Sequence, residues 1–221
     1  MNSKNKNTGD GSLCSATQGT VPCVPDSYYI QSLAATDGGE GITLTVLCAD
    51  GAKEKLTVSV EDYTAYKLQK GEIDETLCFA LREAASRYGA KRAALRILAA
   101  GQCSRQKLYE KLLRRGFRSA DARAAADFAA EGGYSDETWQ IESYLRELVE
   151  KRYIGRRKVV PMLLAKGYSG ERIRTVLDEK YSVADFAKYK KAFLVKKFGK
   201  TTPDTREEAE EMKKALYKQG Y

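Results

Sequence analysis

Two rhythms of apolar residues divide the chain. From Ile42 the alternation is every second residue: Ile42, Leu44 and Val46, then a turn at Ala49-Asp50-Gly51, then Leu56, Val58 and Val60. Side chains two apart share one face of a strand, so this stretch predicts a β-hairpin. A lone hairpin is marginal in water and must pack against a neighbour. Helices are expected next. Ser59 is placed to cap a short one through Tyr66, and Asp74 to start a longer one carrying Leu77, Leu81 and Ala84, with Gly89 separating it from the first repeat.

Beyond residue 90 the spacing becomes helical and the pattern repeats. In Ser104–Phe117 (SRQKLYEKLLRRGF), Leu108 and Leu112 lie eight and four residues before Gly116, and the aromatic Phe117 comes directly after it. Val159, Leu163, Gly167 and Tyr168 restate that frame, and Met212, Leu216, Gly220 and Tyr221 restate it again. Apolar residues four apart share a helix face, and the glycine supplies a left-handed stop. The three glycines are 51 and then 53 residues apart. That period is too long for a helical hairpin but suits three short helices per unit, which predicts a stack of helical repeats.

The fold class expected is therefore mainly α, with tandem three-helix repeats preceded by a small β-hairpin. The expected division is a mobile tail over residues 1–40 with a locally docked Tyr28-Tyr29-Ile30 cluster, and a hairpin with helices over 41–89. Repeats occupy 90–133, 134–181 and 182–221, the last lacking its final helix. Within the second repeat, Trp139, Leu145, Leu148 and Val149 read as a packing stripe, and Tyr144 as a packing residue. Pro161 breaks the helical rule, predicting either a kink or a later helix start. Thr205 and Glu208 form a capping box for the last helix.

Composition changes this picture little. With 31% charged and 43% hydrophobic residues and no apolar run of membrane-spanning length, the 221-residue chain reads as soluble and cytoplasmic. Five scattered cysteines without a CxxC pair indicate neither a disulfide framework nor a zinc site. Histidine is absent, which removes the usual general base near neutral pH. No phosphate loop, nucleophile elbow or ligand cluster occurs, so no catalytic residue, metal, cofactor or small-molecule substrate is indicated.

Charge distribution changes more. Residues 1–90 hold 8 Lys+Arg against 12 Asp+Glu, whereas residues 91–221 hold 30 against 18. A basic repeat region implies an anionic partner. The repeated helices begin with cations, Arg105 and Lys107 in the first and Arg156, Arg157 and Lys158 in the second, where the helix dipole favours carboxylates. With free N–H groups these form a candidate anion site, weighed against an ordinary solvated face. The third copy begins Arg206-Glu207-Glu208 and is acidic. Arg114 and Arg115 add to the candidates, as do Lys190 and Lys197, which flank the Phe186, Tyr189, Phe193 face and either snorkel or line a groove.

The ordered segments Ser104–Phe117, Gly-Gly-Tyr-Ser-Asp-Glu at 132–137, and Gly155 through Leu163 to Lys166-Gly167-Tyr168 closely resemble the RecX family of recombination regulators over about residues 42–221. The resemblance implies a non-enzymatic modulator whose helical repeats lie in the groove of the RecA–DNA filament and restrain its recombinase, ATPase and coprotease activities. RecA filament and DNA are then the expected partners. Two other readings use the same residues: a DNA-binding module of helix-turn-helix type acting without RecA, and a protein scaffold without nucleic acid.

Overall fold

The computed structural model describes residues 28–36, 38–48 and 50–221. Most of the expected tail, residues 1–27, lies outside these. The predicted hairpin is present as β2 (Gly41–Leu47) and β3 (Lys53–Ser59), paired antiparallel with Leu44 opposite Leu56. It is half of a larger sheet. Strand β1 (Tyr28–Ala35), inside the segment read as a tail, pairs with β2 on its other side, and the short β4 (Gly71–Ile73) pairs with β1. The order is β3-β2-β1-β4, antiparallel throughout. Only Ile30 of β1 is buried, and a bulge between Ile30 and Ser32 breaks its alternation, which is why the sequence rhythm concealed the strand.

One face of the sheet buries Ile30, Leu44, Val46, Leu56 and Val58 against Cys78, Leu81 and Ala84 of a helix. Each such Leu or Val contributes about 1.5–3 kcal/mol relative to exposure. Ser59 caps α1 (Val60–Ala65) by accepting from the Asp62 amide, and Asp74 caps α2 (Glu75–Ala100) by accepting from the Leu77 amide at 2.6 Å. Helix α2 does not stop at Gly89, contrary to expectation. Glycine inside a helix costs only about 1 kcal/mol relative to alanine, and burial on both sides of it outweighs that. The first half of α2 packs on the sheet, and Ala90, Ala94, Ile97 and Leu98 of its second half pack on the first repeat.

That repeat is completed by α3 (Arg105–Arg114) and α4 (Ser119–Glu131). The second contains α5 (Glu137–Leu145), which continues as one π-helical stretch over Arg146–Lys151, then α6 (Arg156–Leu164) and α7 (Gly170–Lys180). Helices α8 (Val183–Phe198) and α9 (Arg206–Gln219) form the third. Leu108, Leu112, Val159 and Leu163 are fully buried and Met212 nearly so. Gly116, Gly167 and Gly220 all have positive φ, and the amides of Phe117, Tyr168 and Tyr221 donate back to the carbonyls of Leu112, Leu163 and Leu216. The repeated frame is thus one C-capping motif built three times.

The structure removes one alternative and corrects one expectation. Helices α3 and α6 begin the same distance before their glycines, so Pro161 does not delay α6; the helix runs through it. Trp139 is not a packing residue, being 61% exposed. The buried stripe of α5 and its π extension is Ile141, Leu145, Leu148 and Val149, and Trp139 falls off that face. Tyr144, Tyr189 and Phe186 do pack against this core.

Candidate functional site

The glycine ends of the repeated helices do more than stop them. The end of α9 sits on the start of α6: the Gly155 amide donates to the Gln219 carbonyl at 2.9 Å, and the Arg157 amide to the Gly220 carbonyl at 3.2 Å. The end of α6 sits likewise on the start of α3. There Ser104 Oγ donates to the Lys166 carbonyl at 2.7 Å while accepting from the Lys107 amide. A Cβ on Gly155 would stand 2.3 Å from the Gly220 oxygen, and one on Gly167 would stand 2.8 Å from Ser104 Oγ. Helices α3, α6 and α9 are therefore arranged head to tail, the carbonyl end of one meeting the amide end of the one before it in sequence.

This column accounts for several cations at helix starts. They lie at a junction where the incoming helix presents its negative pole, so the unfavourable dipole of their own helix is offset by a favourable one. Lys158 Nζ donates to the Lys218 carbonyl at 3.0 Å. Arg105 pairs with Asp127 and Arg156 with Asp178, the same pair 22 residues apart in each repeat. Arg157 lies over the ring of Tyr217 at 5.7 Å. Lys107 pairs with Glu110 at 2.8 Å, and its ammonium holds that carboxyl below its ordinary range. At α3 the Arg105 amide is taken by Glu137 Oε1 at 2.7 Å, and Glu137 also accepts from Arg172. Most of the N–H groups that made these helix starts look like anion sites, those of Arg105, Lys107, Arg157 and Lys158, are already partnered.

The 132–137 segment is the matching joint between repeats. Ser135 donates to the Cys103 carbonyl, Asp136 caps α5 through the Trp139 amide, and Glu137 caps α3. Behind it Gln140, buried, donates to Ser135 Oγ and accepts from the Tyr168 hydroxyl at 2.8 Å. Burial pushes the Tyr168 phenol up, so it stays a donor.

Other cations make no ion pair among the described residues. Arg114 and Arg115 are exposed at the end of α3, where with Lys111 they line a shallow cleft against Ile97, Ala100 and Gly101. Lys111 also lines the adjoining cleft at the repeat joint, with Lys107, Tyr144 and Lys166. A basic band thus runs from Arg115 and Arg114 through Lys111 and Lys107 to Lys166, which lies 4.2 Å over the Tyr144 ring. Sequence reasoning missed Lys111 and Lys166; Lys111, one turn after Lys107, was the available signal. A second cleft, about 650 Å³, brings Arg157 and Lys190 together with Lys213, Lys214, one carboxylate, Glu210, and the exposed Tyr217. Lys197 is not in it; it lies beside the Phe198 ring at 5.0 Å. No cluster of carboxylates and thiols suited to a metal occurs among the described residues, and no helix there is long and apolar enough to cross a membrane.

The architecture has solved counterparts. A structure described as regulatory protein RecX superposes with a TM-score of 0.69 at 18% identity, covering 88% of this chain and 94% of that one. The fold is that of RecX regulatory proteins. RecX from Lactobacillus salivarius matches with a TM-score of 0.55 at 16% identity, covering 62% of this chain and 90% of its own. No family model matches the chain, and no curated protein matches it.

Proposed function

We propose that this chain is a RecX-type regulator that works in the cytoplasm, binds the RecA recombinase filament and restrains its ATPase, recombinase and coprotease activities, and so affects DNA repair and the SOS response. The carrying observation is a basic band that crosses from one repeat to the next on a fold shared with RecX structures over most of the chain. Arg114, Arg115, Lys111, Lys107 and Lys166 are the contact residues on that band, and Arg157 and Lys190 those of the second cleft. A band that tracks the stack of repeats suits a partner that is itself elongated and periodic, with phosphates or acidic side chains along its groove. Regulation on this reading is by binding alone, with no bond made or broken by the regulator.

Purified chain added to RecA filaments should slow DNA-dependent ATP hydrolysis and co-sediment with them. Hydrolysis unchanged at saturating protein, together with no co-sedimentation at low salt, would remove the proposal. Tight binding to one duplex sequence in the absence of RecA would replace it with the helix-turn-helix reading.

A further inference from the structure

The column of repeated helices has two outer ends, and among the described residues nothing covers either. At one end is the C-terminus of α3. A Cβ on Gly116 would meet nothing within 4 Å, whereas one on its equivalents Gly167 and Gly220 would strike the helix each is docked on. At the other end is the N-terminus of α9. Its capping residue Thr205 accepts from the Glu208 amide, as Ser104 accepts from the Lys107 amide at the start of α3. Ser104 uses its hydroxyl proton on the carbonyl of the docked helix, and the Thr205 hydroxyl has no acceptor among the described residues.

The two open ends also differ in charge, even though Lys200 at the α9 start already holds Asp204 and Glu208 at 2.6 and 2.7 Å. Lys111, Arg114 and Arg115 project at the end of α3 without ion-pair partners among the described residues, and the exposed Glu207, Glu210 and Glu211 lie on the first turns of α9. Helix capping explains Glu207, since the dipole favours a carboxylate in the first turn; the effect falls off beyond that turn and does not explain Glu210 and Glu211. Among the described cations only the almost fully exposed Arg206 comes within ion-pair distance of Glu210, at 4.0 Å, although Glu210 also borders the second cleft with Arg157, Lys190, Lys213 and Lys214. Glu211 has no ion-pair partner among the described residues.

We infer that the α9 start of one molecule is a docking surface for the α3 end of a second copy of this chain, repeating between molecules the junction that α6 makes on α3 and α9 makes on α6. The Arg115 carbonyl of the incoming copy takes the Thr205 hydroxyl, as the Lys166 carbonyl takes Ser104, and its cations lie beside the glutamates. Because the two surfaces differ and point along one axis, the contact does not close on itself, and copies add end to end. The charge at this outer junction makes it weaker at high ionic strength.

The test needs the protein alone, so it stands apart from the proposed role on RecA filaments. In sedimentation velocity at low salt, the weight-average mass should rise continuously with concentration, and fall toward that of a monomer as salt is added. Glu210→Lys with Glu211→Lys should abolish the rise, and so should Arg114→Glu with Arg115→Glu. An equimolar mixture of the two variants, each helical by circular dichroism, should restore it. A wild-type chain monomeric throughout, association that stops at a dimer, association surviving in either variant, or a mixture that stays monomeric would each overturn the inference.

Discussion

A methyl group on Gly155 would have to occupy space 2.3 Å from the Gly220 carbonyl oxygen. The chain has no soft atom there to move, because the obstacle is backbone at the head-to-tail junction. Gly155→Ala should therefore separate α9 from α6 and lose the bonds from the Gly155 and Arg157 amides, at about 1 kcal/mol each or about 2 kcal/mol together. Gly101→Ala, where a Cβ meets nothing, is the control and should be near neutral. Denaturant unfolding of the two variants checks both, and equal stability would deny the junction its role. The sequence showed Gly167 as a helix stop; that Gly155 and Gly167 are glycines of close approach was not legible in it. The atoms they avoid belong to residues about 60 positions away.

Helices show the same division. The expected ends of α3 and α9 come from local chemistry: Ser104 and Thr205 accept amide protons three residues on, and glycine takes the left-handed turn. Gly89 misled because its local cost is small and the burial that overrides it is nonlocal. Gly89→Ala should now stabilise α2, since the added Cβ would lie at 3.5 Å from Phe117, ordinary van der Waals contact, and the backbone is already helical. The gain expected is about 0.5–1 kcal/mol, read as a higher melting temperature with unchanged helicity. A loss of stability would mean that the helix needs glycine at the site where sheet and repeats meet. Strand β1 and the π-helical stretch at Arg146–Lys151 had no sequence signal of comparable strength. A bulge broke the alternation of the first.

Across the whole molecule, cations that looked alike in sequence divide by what surrounds them. Arg105 and Arg156 each pair with the next helix of their own repeat through Asp127 and Asp178, whereas Arg114 and Arg115 face solvent along the band. Arg156→Ala should lower stability by less than about 1 kcal/mol, as exposed pairs do, and leave the salt dependence of filament binding unchanged. Replacing Lys111, Arg114 and Arg115 by alanine should leave stability unchanged. It should also reduce the slope of log affinity against log salt by up to about 0.7–0.9 for each phosphate that is no longer neutralised. Co-sedimentation across a salt series measures the slope. The same slope for both variants would show that the band does not carry the interaction.

What the sequence determined by itself is what short-range forces decide: hairpin alternation, helix caps, the thrice-written frame of Leu108, Leu112, Gly116 and Phe117, and from its period a stack of three-helix units. Tertiary structure decided which surface each charged residue meets. Head-to-tail packing put carbonyl ends against the Gly155 and Arg157 amides and the Ser104 hydroxyl, while Glu137 took the Arg105 amide, and so turned much of the apparent anion sites at the helix starts into joints. The ends of α3 and α9 were left with exposed cations and carboxylates. Periodicity records which face of a helix is apolar; it does not record which helix end lies against another, because that depends on residues a whole repeat apart.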